Sequence, residues 1–310
     1  MIKKEITDMS KRDQLLSRAK DKVHTFLLAE GQIRGAILHG THMIKETKLN
    51  HHLGVLETLV LGHAYLGIGL MASNLKSEDR VSFKIECEGP IKGLSVEATA
   101  HGEVRGYLKQ NPIPIDKPLE SFDLSPFFGT GYLEVINWPE AAKHPYTGRV
   151  TLKYGKIASD LANYYSQSNQ TPTSFNLSIK FDQEGYVTGA GGLLLQMLPD
   201  AEPGLANQLE SLVLDFPSLG DAFTINQPAE ELIKTHFKDL SPNILDNRRV
   251  EFFCPCQKER LAGIIAQLPQ ETLKDMLDNG PMPVETLCHN CNTTYQFSRE
   301  DVEGFYDKKK

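Results

Sequence analysis

A chain of 310 residues with 40% apolar and 24% charged residues falls in the range of soluble globular proteins and has room for one large domain or two unequal ones. A net charge of −7 excludes a general electrostatic affinity for nucleic acid or anionic membrane. The closing lysines, Lys308 to Lys310, are too short a run to change that balance and read as a solvated tail.

The opening "MIKKEITDMSKRDQLLSRAK" has acids and polar residues where a secretory signal needs an apolar stretch, so the chain is expected in the cytoplasm. Residues 1–22 read as a charged, helix-prone extension. Leu15, Leu16, Val23, Phe26 and Leu27 share one helical face, which predicts a helix across the end of that extension. "LGVLETLVLGHAYLGIGLMA", Leu53 to Ala72, is nearly long enough to span a bilayer. Glu57 and His63 would be costly at membrane depth, so a buried core helix is expected instead. His51, His52 and His63 do not stack on one helical face, which favours cap and core roles over metal binding.

From Val81 the apolar period changes to two: Val81, Phe83, Ile85 and Cys87 alternate with polar residues as a half-buried strand. Cys87 on its apolar face reads as a structural thiol. "LSVEATAHGEVRGYL" predicts a hairpin turning near His101 and Gly102; "GTGYLEVINW" and "GRVTLKYG" predict further strands. "SFNLSIKFDQEGYVTGAGGLLLQMLP" predicts a hairpin turned at Asp182 to Gly185. Gly189, Gly191 and Gly192 lack the lysine and the strand–glycine–helix context of a phosphate loop, so close backbone packing is the expectation.

Residues 200–250 carry nine acids against four bases and no evident strand. Two amphipathic helices are legible there: Leu205, Leu209, Leu212, Val213 and Phe216 form one face, Leu232, Ile233, Phe237 and Leu240 another. Pro228 can start the second helix and Pro242 prevents its continuation. Both stripes must be buried on a neighbour, which makes this region a docked linker and not a flexible tether. Beyond it, "ERLAGIIAQLP" and "QETLKDMLDNG" predict two short helices, the second ended by Gly280. Thr293, Tyr295 and Phe297 predict a strand, and "SRED" a capping box. Some sixty residues of this kind make a meagre core, so something else must stabilise them.

Four of the five cysteines lie in this last segment, in "VEFFCPCQKER" and, after a spacer of 31 residues, "ETLCHNCNTTYQF". Cys254, Cys256, Cys288 and Cys291 offer the number and type of ligand that a closed tetrahedral zinc site requires. His289 could compete, but four thiolates already complete the site. Such a site supplies folding free energy on the order of 10 kcal/mol or more, enough to stabilise a small unit. A static zinc ribbon would pair two CxxC knuckles over a shorter spacer, whereas here the first pair is CxC. An i to i+2 disulfide closes a strained, easily reduced ring. Zinc-held thiolates are also the form oxidants attack, so oxidation would erase the support of the domain.

"CPCQKERL…CHNCNTTYQF" closely resembles the C-terminal zinc domain of the heat shock protein 33 family, the redox-regulated holdase chaperones. The segments "GPIKGLSVEATAHGEVRGYL", "GTGYLEV", "YYSQSNQTPTSF" and "GAGGLLLQMLPDA" resemble that family's core motifs in the same order. Asn169 replaces a usual acid, Pro255 is an unusual CxC centre, and residues 1–22 extend beyond the pattern; no ligand is lost. The resemblance implies an α+β fold: a β-rich core domain with helices over 23–199, a helical linker over 200–249 and a small zinc-binding redox-switch domain over 250–310. It implies a folded, inactive, monomeric zinc form. Oxidants would form the Cys254–Cys256 and Cys288–Cys291 disulfides, expel zinc and unfold the linker. The product would be an ATP-independent, dimeric holdase for unfolding client proteins, with no enzymatic activity. Leu205, Leu209, Leu212, Phe216, Leu232, Ile233 and Phe237 are the candidate docking and client-binding side chains. Two other readings compete: a thiol oxidoreductase using Cys288-His289-Asn290-Cys291, and a zinc-stabilised nucleic-acid module. The scarcity of bases around both knuckles counts against the second.

Overall fold

The helix Val55–Ala72 is apolar on every side, and such a helix has to be enclosed. The structure, a computed structural model, describes residues 21–115, 123–199 and 201–308, and it encloses that helix between two sheets. The chain begins with β1 (Lys22–Leu28), β2 (Ile33–His39), α1 (Thr41–His51) and α2 (Val55–Ala72). Then come β3 (Arg80–Cys87), β4 (Gly93–Thr99), β5 (Glu103–Leu108), α3 (Ser125–Phe128), β6 (Gly131–Trp138), β7 (Tyr146–Thr151) and α4 (Ile157–Ser168). A hairpin, β8 (Thr173–Phe181) and β9 (Val187–Met197), precedes three helices, α5 (Pro203–Leu214), α6 (Leu219–Thr224) and α7 (Ala229–His236). Next are β10 (Asn243–Arg249), β11 (Glu251–Phe252), α8 (Lys258–Ala266), α9 (Gln270–Asn279), β12 (Val284–Cys288), β13 (Thr293–Phe297) and α10 (Arg299–Asp307).

The five-stranded sheet runs β10-β1-β2-β9-β8 and the six-stranded sheet β11-β5-β4-β3-β6-β7. All pairings are antiparallel except β11 with β5. α2 lies against β2, β8 and β9 on one side and β3, β4 and β5 on the other. Glu57 is buried there, and its carboxylate accepts the Ile113 amide at 2.8 Å. The three histidines take cap and core places. His52 ends α1 in a left-handed conformation, His51 packs on Phe252, and desolvation pushes His63 down to about 4.

The predicted strands and hairpins from 80 to 197 are in place. The helix expected to include Val23, Phe26 and Leu27 is not: these residues lie in β1, and Leu15 and Leu16 fall outside the described residues. β1 pairs on both sides, so its apolar residues are buried by sheet formation, which a run of three could not distinguish from a helical stripe. A second correction concerns 200–250. The reading of two helices and no strand missed α6 and missed β10, a polar strand with no apolar alternation that completes the edge of the five-stranded sheet beside β1.

The five-stranded sheet is buried on both faces, which explains the unbroken apolar run of β9. Its inner face meets α2. Its outer face presents Phe26, Leu28, Ile33, Ile37, Leu193, Leu195 and Met197, all covered by α5–α7 in a separate apolar cluster. Leu209, Phe216, Leu232, Ile233 and Phe237 are fully buried in that cluster, with Leu205 and Leu212 at its margin. Phe237 stacks on Phe26 at 5.6 Å and on Phe216 at 5.2 Å. Gly189 and Gly191 make room for α6: a Cβ would stand 2.0 Å from the Gly220 carbonyl oxygen at the first and 2.3 Å from the Phe223 ring at the second. At the rim, Lys180 pairs with Asp221 at 2.8 Å and Asn176 donates to the Val213 carbonyl at 3.2 Å.

Below α6 and α7 a cavity of about 400 Å³ is lined by Asp21, Lys22, His24, His39, Lys45 and Glu230, among others. His39 stacks on Phe223 of α6 at 4.2 Å, and burial pushes its imidazole down to about 4. His24 is also lowered by burial, against the pull of Glu230 3.9 Å away. Asp21 is raised to about 7 by burial, but its carboxylate accepts backbone N–H groups of α1, inside the core. With α6 and α7 lifted off, His39 would lose part of its burial while the repulsion from His24 and Lys45 remained, so its value would move back toward 6.5 and it would bind a proton more readily. Packing of α6 and α7 on this face is therefore expected to be most favoured above pH ~6.5 and to weaken as pH falls toward 4. Limited proteolysis of 200–242 in metal-loaded protein is expected to accelerate between pH 7 and 5, with a flatter profile in His39→Gln.

Candidate metal centre

Cys254 and Cys256 follow β11, whose parallel pairing on β5 is fixed by Glu251 N–H to the Gly102 carbonyl (2.9 Å) and Phe253 N–H to the Val104 carbonyl (3.0 Å). Cys288 ends β12, and Cys291 lies in the tight turn into β13, where the Cys291 and Asn292 amides both donate to the Cys288 carbonyl at 3.3 and 2.7 Å. Asn292 takes the left-handed conformation this turn requires (φ 53°). Both predicted helices, α8 and α9, stand between the knuckles, and Gly280 caps α9. The predicted capping box starts α10: Ser298 and Asp301 exchange hydrogen bonds. β12 was not expected.

The four sulfurs lie within 4.8 Å of one another. Cys254 and Cys291 are fully buried, Cys256 nearly so and Cys288 half-buried. Cys254 Sγ is 3.9 Å from Cys288 Sγ, and Cys256 Sγ 3.3 Å from Cys291 Sγ. Ligand bonds of about 2.3 Å in a tetrahedron place sulfurs roughly 3.8 Å apart, so the donor set fits one closed zinc site. The electrostatics point the same way. Hydrogen bonds from Cys288 and Cys291 pull the Cys254 thiol far down, while sharing with Cys254 pushes Cys291 far up and Cys288 to about 11. Sulfurs this crowded do not ionise together without a cation among them. All five cysteines are free thiols, and Cys87 stands apart on β3, its thiol pushed up by burial. His289 does not join the cluster; its ring packs on Tyr107 at 5.6 Å. The Cys288–Cys291 knuckle lies between two strands and not at a helix start, which does not suit the oxidoreductase reading.

α1 and β5 reach this centre with residues that sequence reasoning missed. Asn50 at the end of α1 donates its side-chain amide to the Cys291 carbonyl at 3.1 Å, and Asn292 returns a bond to the Asn50 carbonyl at 2.8 Å. Gly106 N–H meets the Asn290 carbonyl at 3.4 Å, and Arg105 approaches Cys254 Sγ. The one signal for Arg105 and Gly106 was that "GEVRGYL" belonged to a family-like segment; Asn50 had none.

A β-rich core with helices and a C-terminal cluster of four cysteines can be matched to a known family. The family model for Hsp33 protein matches residues 21–298, and this chain belongs to that family. It is 33% identical over 277 residues to the 33 kDa chaperonin of Lachnoclostridium phytofermentans, covering 89% of this chain and 94% of that one. With the 33 kDa chaperonin of Clostridium botulinum (strain 657 / Type Ba4) it shares 32% over 299 residues, covering 94% of this chain and 100% of the other. The crystal structure of the Thermotoga maritima 33 kDa chaperonin superposes with a TM-score of 0.83 at 26% identity, covering 94% of this chain and 99% of that one. Membership supports a chaperone role.

Proposed function

We propose that the protein is an ATP-independent holdase for unfolding client proteins, kept inactive by zinc and activated by oxidation of Cys254, Cys256, Cys288 and Cys291. The observation that carries this reading is the position of the four-sulfur cluster. It begins five residues after β10, the strand that ends the linker, and on the sheet edge next to it.

Zinc, when bound, holds the four sulfurs as thiolates and contributes the folding free energy of the small C-terminal unit. Two thiolates surrender two electrons as one disulfide forms. A hypohalous acid accepts the pair and leaves as halide and hydroxide. Two such steps, giving Cys254–Cys256 and Cys288–Cys291 as the family likeness implies, leave four sulfurs without charge for a cation. The C-terminal unit then loses its support, and with it the anchor of β11 and β10. Release of β10 frees the edge of β1 and one end of α5–α7. The face beneath offers Phe26, Leu28, Ile33, Ile37, Leu193, Leu195 and Met197. A contiguous apolar patch of that kind captures non-native chains and also suits self-association, so the active form is dimeric and the zinc form monomeric. The reaction is binding without turnover, in a reducing cytoplasm where thiolates are the resting state.

The test is a titration of reduced protein with hypochlorite, following zinc release and suppression of client aggregation on the same samples without ATP. Both should rise together, and dithiothreitol with zinc should reverse both. Equal protection by the reduced zinc form would leave a constitutive chaperone with a structural metal.

A further inference from the structure

A centre of four thiolates around one dication carries two net negative charges, and three of its four sulfurs are buried. Buried charge without compensation is expensive, so the surroundings of the cluster are informative. The compensating charge comes from the other domain. Arg105 of β5 donates from Nη2 to Glu97 Oε1 at 2.7 Å, which fixes the plane of the guanidinium, and its Nη1 is 3.9 Å from Cys254 Sγ. Strand register sets this up: the bond from Phe253 N–H to the Val104 carbonyl brings Cys254 beside Arg105. The hydrogen bonds from Asn50 and Gly106 to the knuckles grip backbone groups, and the Tyr107 ring packs on the His289 ring; none of these meets a sulfur. Arg105 alone among these contacts addresses a sulfur.

We propose that Arg105 is a positioning residue of the metal centre: it holds Cys254, and with it β11, on the core sheet for as long as Cys254 carries thiolate charge. The inference rests on the four-thiolate reading. When Cys254 enters a disulfide its sulfur becomes neutral and a poor acceptor, and Arg105 keeps only Glu97. The attraction that seats β11 beside β5 then disappears at the moment of oxidation, before any unfolding is needed. The core sheet thereby senses the redox state of the cysteines directly, through charge, and passes it to β10 and the linker.

The experiment uses full-length reduced protein loaded with cobalt(II), whose absorption reports the number of thiolate ligands, in competition with a chelator. Wild type and Arg105→Gln should both give a four-thiolate spectrum. Arg105→Gln should yield its metal about 10–100-fold more readily, the range seen when outer-shell partners of a metal are removed. Raising salt from about 0.05 M to about 1 M, where the screening length falls to about 3 Å, should loosen wild type more than Arg105→Gln. Arg105→Lys, which keeps the charge, should stay closer to wild type. Metal release unchanged in Arg105→Gln would overturn the proposal. So would easier release with a wild-type salt response, because that pattern is lost packing and not lost charge. Where Arg105→Gln does not fold, Arg105→Lys carries the test: metal release and salt response close to wild type support the charge contact, and a salt response that is flat in wild type and Arg105→Lys alike overturns it. A cobalt spectrum with fewer than four thiolates in wild type would instead overturn the four-thiolate reading.

Discussion

Phe237→Asp is expected to switch the protein on while it is still reduced and metal-loaded. Phe237 is 1% exposed and stacks between Phe26 of the sheet and Phe216 of the linker. Truncating a buried phenylalanine costs about 3–5 kcal/mol, and a carboxylate placed there adds the cost of burying a charge. Docked α7 cannot accommodate that, whereas an undocked linker can. The damage stays local, because the cluster beneath the linker is separate from the one around α2. Aggregation suppression without oxidant should approach that of oxidised wild type, with zinc retained. Leu214→Asp supplies the control: Leu214 is 73% exposed on α5, so that change should stay within about 0.5 kcal/mol and leave the switch intact. Inactive, metal-loaded Phe237→Asp would mean that linker docking does not mask the client site.

The second large effect concerns the cysteines. Cys291→Ser removes a fully buried member of the four-sulfur cluster, and zinc affinity should fall well beyond the roughly 10–100-fold that outer-shell partners command. Because structural zinc contributes on the order of 10 kcal/mol to units of this kind, residues 250–308 should lose their fold in the variant, and the holdase should be active without oxidant. Cys87→Ser, on β3 and outside the cluster, should bind zinc as wild type does. Zinc content by plasma emission and a competitive chelator assay separate these outcomes. Full-affinity binding in Cys291→Ser would remove the four-thiolate assignment.

Much of this was legible in the sequence because it is local. Period-two runs such as Val81–Phe83–Ile85 identify strands by themselves, Ser298 and Asp301 form their box within four residues, and two cysteine pairs suggest one four-sulfur cluster whatever the spacer, which the structure brings together. What was missed depends on partners far along the chain. β10 has no apolar alternation, and only the open edge of β1 makes it a strand. Leu193-Leu194-Leu195 was read only as part of a hairpin; the run is unbroken because its sheet is covered on both faces, and nothing in it says that the outer cover is α5–α7. Gly189 and Gly191 were expected to allow close packing; that their neighbour is α6 follows only from the fold. Arg105 and Asn50 sit about 150 and 240 residues from the cysteines they touch, at no spacing a motif could encode.

The central claim is that the metal centre governs docking of the linker while the core stays folded. Amide hydrogen exchange of reduced, zinc-loaded protein against the same protein treated with hypochlorite tests it most directly. Protection should be lost across 203–249 and 251–297, with β1 and β5 losing the shares they owe to β10 and to β11 and the knuckle, while α2, β3, β4 and β6 exchange as slowly as before. Unchanged protection across 203–237 after complete zinc release, or equal loss in α2 and the linker, would contradict it.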